Sequence, residues 1–200
     1  GISTPTNGAT VILDVAMYGG AQLPAAIPQS GWLALCPSDA GTVLRATTVT
    51  LVPYFDDIAN DAPGQQTGRE VKATNCEAPL LLVADPALGV RPVRDAKLSG
   101  QQIVMDDLSE QIAPTPGNQV DVPARLILRG KQGSRILLES TYSTSIEYKI
   151  RWAGDLDEDG SLDLVVEENQ EATFLHLFLS RIKPLNGHWK PAATTYYGGC

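Results

Sequence analysis

Short runs of strand-forming residues, separated by Pro and Gly, constrain the fold of this chain more than any other feature of its sequence. The 200 residues include 14 Pro and 18 Gly. The runs between them are rich in Val, Ile, Leu, Thr and Tyr, and none has a sustained helical period. Such runs are typical of short strands joined by turns. We therefore predict a mainly β fold with antiparallel, sandwich-like sheets.

The first half of the chain contains several predicted strands. The residues from Val43 to Pro53 alternate between two faces and predict one strand. Further strands are predicted at residues 31–36, 69–75 and 79–84. Residues 101–111 fit either a strand or a short helix, because their apolar positions match both periods.

The last third of the chain has a more regular pattern. Five strands are predicted, at residues 124–129, 135–142, 146–152, 162–167 and 173–180. Their short connections favour an antiparallel meander. Residues 113–123 contain three Pro and a Gly and are predicted as a linker or long loop. On either side lie an N-terminal β lobe (1–112) and a C-terminal lobe (124–200), which stand apart or pack as one domain.

The net charge of −8 is concentrated in one segment. The chain has 15 basic and 23 acidic residues, and eight of the acids lie between Asp155 and Glu171, where there is no Lys or Arg. An acidic chain with an otherwise balanced surface argues against nucleic acid as the principal partner. No apolar run approaches the roughly 18 residues of a membrane span.

Residues 154–164, GDLDEDGSLDL, have the spacing DxDxDGxxD of a calcium loop. Calcium takes six to eight oxygen ligands, and a curling chain directs every second side chain toward the ion. Gly160 allows the sharp turn because it adopts a positive φ at low cost. The predicted ligands of one calcium ion are Asp155, Asp157, Asp159, the carbonyl of Ser161, and Asp163.

This loop is EF-hand-like without the helices of an EF-hand. The position of the bidentate Glu in an EF-hand is here Val166, and strand-forming residues surround the loop, so we expect it to join two strands. The alternative interpretation is a solvated acidic turn that binds no ion. Glu167, Glu168 and Glu171 follow the loop, and they make either a second weak cation site or a solvent-facing strand end.

The sequence GDLDEDGSLDLVV, residues 154–166, resembles the calcium loops of FG-GAP and VCBS type repeats, whose pattern is GDxDGDGxxDLxV. It departs from that pattern at Glu158, which replaces a Gly. In those repeats the loop joins two antiparallel strands, usually in a propeller blade, but a single motif in 200 residues does not provide the blades of a propeller. The last third also resembles a group of uncharacterised bacterial exported proteins that end in an FG-GAP-like hairpin. These resemblances imply an exported calcium-binding protein.

Three cysteines, Cys36, Cys76 and Cys200, are too few for a disulfide framework and lack the paired spacing of a zinc site. We expect one bridge and one remaining thiol, with all three pairings open. The sequence begins without Met or an apolar signal region, as expected of a mature protein whose signal peptide has been removed. The expected location is periplasmic or extracellular.

Other reactive residues fit no recognised catalytic motif. His176 is expected to pack within a sheet and His188 to lie at the surface. The three Trp residues are expected in the core rather than on a glycan platform. Asp56, Asp57 and Asp61 are interpreted as a polar loop.

The function predicted from the sequence is that of a calcium-binding module for an unknown protein or glycan ligand, in which the ion is structural. The alternatives are an envelope hydrolase with a structural calcium ion, and a regulatory role for the ion. Enzymatic activity is left open, with the module favoured.

Overall fold

All described residues belong to strands, turns or loops. A computed structural model gives the structure for residues 9–19, 22–24, 26–55, 68–118 and 120–198. These residues form 18 strands in four antiparallel sheets and no helix, which confirms the predicted mainly β, sandwich-like class. Within these ranges there is thus no helix long and apolar enough to cross a membrane.

The chain divides into two compact units. The first comprises Gly1–Val93, Gln170–Leu175 and Ala193–Cys200, and the second comprises Arg94–Asn169 and His176–Ala192. This division follows Val93, whereas the predicted lobes were separated at residues 113–123.

The first unit contains nine strands. They are β1 (Val11–Leu13), β2 (Met17–Gly19), β3 (Trp32–Ser38), β4 (Gly41–Ala46), β5 (Val49–Tyr54), β6 (Gly68–Ala73), β7 (Leu81–Ala84), β8 (Arg91–Pro92) and β18 (Ala193–Tyr197). One sheet has the order β1-β7-β3-β4-β8 and another the order β2-β6-β5. The predicted strands at residues 31–36, 69–75 and 79–84 correspond to β3, β6 and β7.

The prediction of one strand from Val43 to Pro53 is wrong, because the chain changes sheets at Thr47 and Thr48. The Thr47 amide still donates to the carbonyl of Trp32, the first residue of β3, at 3.1 Å. The Thr48 amide already donates to the hydroxyl of Thr74, at 3.0 Å, beyond the end of β6. Alternation continues across the break, so the pattern could not reveal it.

Cys36 and Cys76 form a disulfide within the first unit. Cys36 is buried on β3, in a core that also contains Trp32. This bridge is one of the three pairings left open by the sequence. Cys200 lies outside the described residues, as do Asp56, Asp57 and Asp61, so their predicted roles are not tested.

The second unit contains two sheets. Its complete strands are β9 (Arg94–Asp95), β10 (Lys97–Ser99), β11 (Gln102–Met105), β12 (Leu108–Thr115), β13 (Ala124–Gly130), β14 (Gly133–Ser140), β15 (Glu147–Asp155) and β16 (Asp163–Asn169). Strand β17 (Thr173–Phe178) belongs to it from His176 onward. One sheet has the order β10-β11-β12-β13-β14, and in the other β9, β15, β16 and β17 follow one another.

The five predicted C-terminal strands are present as β13 to β17, but they do not form a single meander. β13 and β14 belong to one sheet and β15, β16 and β17 to the other. The ambiguous residues 101–111 lie in two strands, β11 and β12, which form a hairpin. The predicted linker is shorter than expected, because β12 continues to Thr115 and pairs with β13.

One apolar core is shared by both sheets of the second unit. Leu126 on β13, Leu164 on β16 and Phe178 on β17 are fully buried in it. Trp152 and Trp189 are also buried, as is Trp32 in the first unit, which confirms core packing for all three Trp residues. The shared core explains the apolar alternation of these strands.

Candidate metal centre

The acidic loop joins β15 to β16 in an antiparallel hairpin. The last pair of this ladder is Gly154 with Asp163, and Gly154 also pairs with Asp95 on β9. The prediction that the loop lies between two strands is therefore confirmed. A Cβ atom on Gly154 would lie 2.1 Å from the Arg94 carbonyl oxygen and 2.4 Å from the Trp152 ring. The close packing of β9 on β15 thus requires Gly at the entrance to the loop.

Two residues of the loop have a left-handed backbone. Gly160 has φ 79°, as predicted, and Glu158 has φ 60°. Glu158 stands where the FG-GAP pattern has Gly, and a residue with a Cβ pays roughly 1–2 kcal/mol for this conformation. The loop therefore has the backbone shape that a Gly would favour at residue 158, despite the substitution.

Three of the predicted ligands come together. Asp155, Asp157 and Asp159 each offer one carboxylate oxygen, and these three oxygens lie within 4.8 Å of one another. Asp155 is buried, Asp157 is half-buried and Asp159 is exposed. We call these residues the aspartate triad. Its oxygens are close enough to hold one metal ion.

The loop holds two members of the triad in place by hydrogen bonds. The two oxygens of Asp155 accept from the amides of Asp159, at 3.1 Å, and Gly160, at 2.9 Å. Asp159 accepts from the Ser161 amide at 2.8 Å and from the Ser180 hydroxyl at 2.6 Å. Asp155 and Asp159 are therefore oriented before any ion binds.

Asp157 is the exception within the triad. Among the described residues, its Oδ1 atom is buried and has no hydrogen-bond partner. Burial raises the pKa of Asp157, and the neighbouring Asp159 raises it further, while Arg181 and the Asp159 amide oppose the shift. A buried carboxylate oxygen without a donor costs on the order of 1–3 kcal/mol. A cation among the three carboxylates would remove that cost.

Asp163 lies outside the triad and is completely buried. Its oxygens accept from the amides of Leu156, at 2.7 Å, and Ser180, at 2.8 Å. Burial raises the pKa of Asp163 to about 7, against the opposing effect of these two amides. Asp163 thus connects the start of the loop to the segment after β17. Its role as a ligand, and that of the Ser161 carbonyl, remain predictions.

Ser180 is a residue of this centre that sequence reasoning did not identify. Its amide bonds Asp163 and its hydroxyl bonds Asp159, although it lies 17 and 21 positions further along the chain. Nothing in the local spacing of the motif indicates it. Only the pairing of β16 with β17 brings it to the loop.

Two of the three acidic residues after the loop, Glu167 and Glu168, have other partners. Glu167 accepts from Arg151 at 2.8 Å, and Glu168 is buried with its Oε2 3.0 Å from Nε2 of His176. His176 is buried in the sheet, as predicted. His188 is half-buried rather than fully solvated, and its amide and carbonyl both bond Leu185. Within the described ranges, the aspartate triad is the one group of His, Cys, Asp and Glu residues arranged to hold a metal.

A cavity of about 390 Å³ adjoins the loop. Its wall includes Gly160, Ser161 and Ser180 beside the triad, and the charged side chains of Glu110, Arg135 and Lys183. We call it the loop cavity.

The chain matches no protein-family model, and no curated protein or solved structure matches it. The resemblance to FG-GAP and VCBS loops accordingly rests on the residues of the loop alone.

Proposed function

We propose that the loop binds one calcium ion through Asp155, Asp157 and Asp159, with the Ser161 carbonyl and Asp163 as further ligands. The observation that carries this proposal is the buried Oδ1 atom of Asp157, which has no hydrogen-bond donor and lies in a triad of carboxylates. Oxygen is the only ligand element in this set, as calcium prefers. The loop also has the left-handed residues that allow a chain to curl around an ion.

The ion would stabilise the second unit. Without a cation, three carboxylates within 4.8 Å repel one another. A bound ion would join the ends of β15 and β16 and, through Ser180, the segment after β17. Because it binds only the folded loop, calcium would stabilise the fold by mass action.

The wider role that we propose is that of an exported binding module in the periplasm or outside the cell. The disulfide between Cys36 and Cys76 supports this location, because disulfides persist in oxidising compartments. Calcium is abundant outside cells, where modules with weak sites use it. The carboxylate of the loop cavity, Glu110, is paired with Arg135, which favours binding over hydrolysis, since carboxylate hydrolases use two available carboxyl groups.

Isothermal titration with calcium tests the site. We expect one ion per chain, and we expect Asp157→Asn to weaken binding at least about tenfold through the loss of a charged ligand. Glu158→Gln is the matched control, because it removes the same charge from the neighbouring residue, outside the triad. No calcium binding by the wild type, or an equal loss in both variants, would contradict the proposal.

A further inference from the structure

The loop cavity has the size and the polarity of a small-ligand site. Its volume of about 390 Å³ falls within the roughly 300–1,000 Å³ of ligand pockets. Side chains able to bond hydroxyl groups, Gln132, Ser134 and Ser180, line it together with its charged residues. All of them belong to the second unit.

The cations of the cavity outnumber its anions. Arg135 and Lys183 face one carboxylate, Glu110. The Arg135 guanidinium donates to Glu110 through Nη2, and the Glu110 side chain is 8% exposed. Lys183 is exposed, and its amino group contacts the Ser180 carbonyl at 3.4 Å. These two side chains supply the positive charge that an anion in the cavity would contact, whereas the acidic loop, which adjoins the cavity at Gly160 and Ser161, opposes that attraction.

Arg135 is held in a fixed orientation and retains unused donors. Its guanidinium carbon lies 4.8 Å from the centre of the Trp189 ring, so the ring fixes the plane of the group. Among the described residues Glu110 is its one polar partner, and because Nε is buried, the donors left for a ligand are those of Nη1 and the second hydrogen of Nη2. A planar guanidinium with free donors suits the two oxygens of a carboxylate.

We infer that the loop cavity binds a hexuronate, the carboxylated sugar unit of an acidic polysaccharide. Arg135 and Lys183 would bind its carboxylate, while Gln132, Ser134 and Ser180 would bond its hydroxyl groups. This ligand class extends the proposed binding module, but its recognition rests on Arg135 and Lys183 and not on the calcium ion.

Titration of the full chain with galacturonate, galactose and acetate tests the inference. Galactose has the hydroxyls without the carboxylate, and acetate has the carboxylate without the hydroxyls. We expect galacturonate to bind at least about tenfold more tightly than either, because galactose lacks the charge-assisted contact and acetate lacks the hydroxyl hydrogen bonds, and either loss has about that effect. Equal binding of galactose, equal binding of acetate, or no binding of galacturonate would overturn the inference. Tighter binding of an acetylated dipeptide would also overturn it, because the site would then recognise a peptide.

Two variants locate the site. Lys183→Gln changes an exposed residue, and we expect it to weaken galacturonate binding about threefold to tenfold without changing the melting temperature. Arg135→Gln is expected to abolish binding, and Arg135→Lys to restore only part of it, because Lys lacks the planar fork. Unchanged galacturonate binding in Lys183→Gln and in folded Arg135→Lys would refute the assignment.

Each titration is run with calcium and with a chelator, so that a failure of the hexuronate proposal can be distinguished from a failure of the calcium proposal. Galacturonate binding in chelator supports the cavity even if the loop binds no calcium. Calcium binding without galacturonate binding in either condition overturns the cavity alone.

Discussion

Replacement of Asp157 by Asn should affect stability in opposite directions with and without calcium. In the calcium-free protein, Asp157 is a half-buried carboxylate with an orphaned oxygen beside two other carboxylates within 4.8 Å. Two charges at this distance repel by about 1 kcal/mol in a water-like environment. Arg181 offsets part of this repulsion. We therefore expect Asp157→Asn to stabilise the calcium-free protein by about 1 kcal/mol.

Calcium should reverse this order. At a calcium concentration 100 times its Kd, the wild type gains about 2.7 kcal/mol from binding. A variant whose Kd is about 100-fold weaker gains only about 0.4 kcal/mol at that concentration. The wild type should then be the more stable protein by about 1.3 kcal/mol, so the two stability curves cross as calcium is added.

Urea unfolding followed by tryptophan fluorescence, in chelator and in calcium, measures both differences. Glu158→Gln serves as the control and should stay within about 0.5 kcal/mol of wild type in both conditions, as an exposed substitution does. If Asp157→Asn lowers stability in chelator and gains as much from calcium as the wild type, the electrostatic argument is refuted.

Three further predictions concern other parts of the structure. Gly154→Ala should lower the free energy of unfolding, measured in urea, by about 1–3 kcal/mol or more, because the added Cβ meets the Arg94 carbonyl. Gly89→Ala is the control and should be nearly neutral, because the space around Gly89 is open. Equal effects of the two substitutions would contradict this prediction. The raised pKa of Asp163 means that the calcium-free folded state holds its proton more tightly than the unfolded state. Protonated Asp163 therefore stabilises the folded state fully below about pH 4, and this stabilisation is lost as the pH rises through about 7. The urea midpoint of the wild type should fall over that range, and Asp163→Asn should reduce the fall. Cys36→Ser should cost about 4 kcal/mol, since the bridge spans 40 residues, and a reductant should then destabilise the wild type but not the variant.

The parts of the molecule that depend on residues close together in the sequence were predictable from it. The β15–β16 hairpin, the triad and the positive φ of Gly160 follow from residues within a few positions of one another. Alternation also located most strands, because each strand has to present apolar residues to a core.

The parts that depend on sheet pairing were not predictable. Alternation does not reveal which strand lies beside which, so the break at Thr47 and the division of the last strands between two sheets were missed. The same holds for the loop cavity, where Glu110 and Arg135 meet across 25 positions. Ser180 reaches the acidic loop only through the neighbouring strands.

Ser180 has a consequence for anyone who would transplant this loop. A synthetic peptide of residues 154–164 contains every predicted ligand, yet it lacks the amide and the hydroxyl that position Asp163 and Asp159. A host protein would need a third strand followed by a serine at the same place. The unit to transplant is therefore the motif together with the segment that follows the neighbouring strand, and a search for the motif alone would not distinguish a supported loop from an unsupported one.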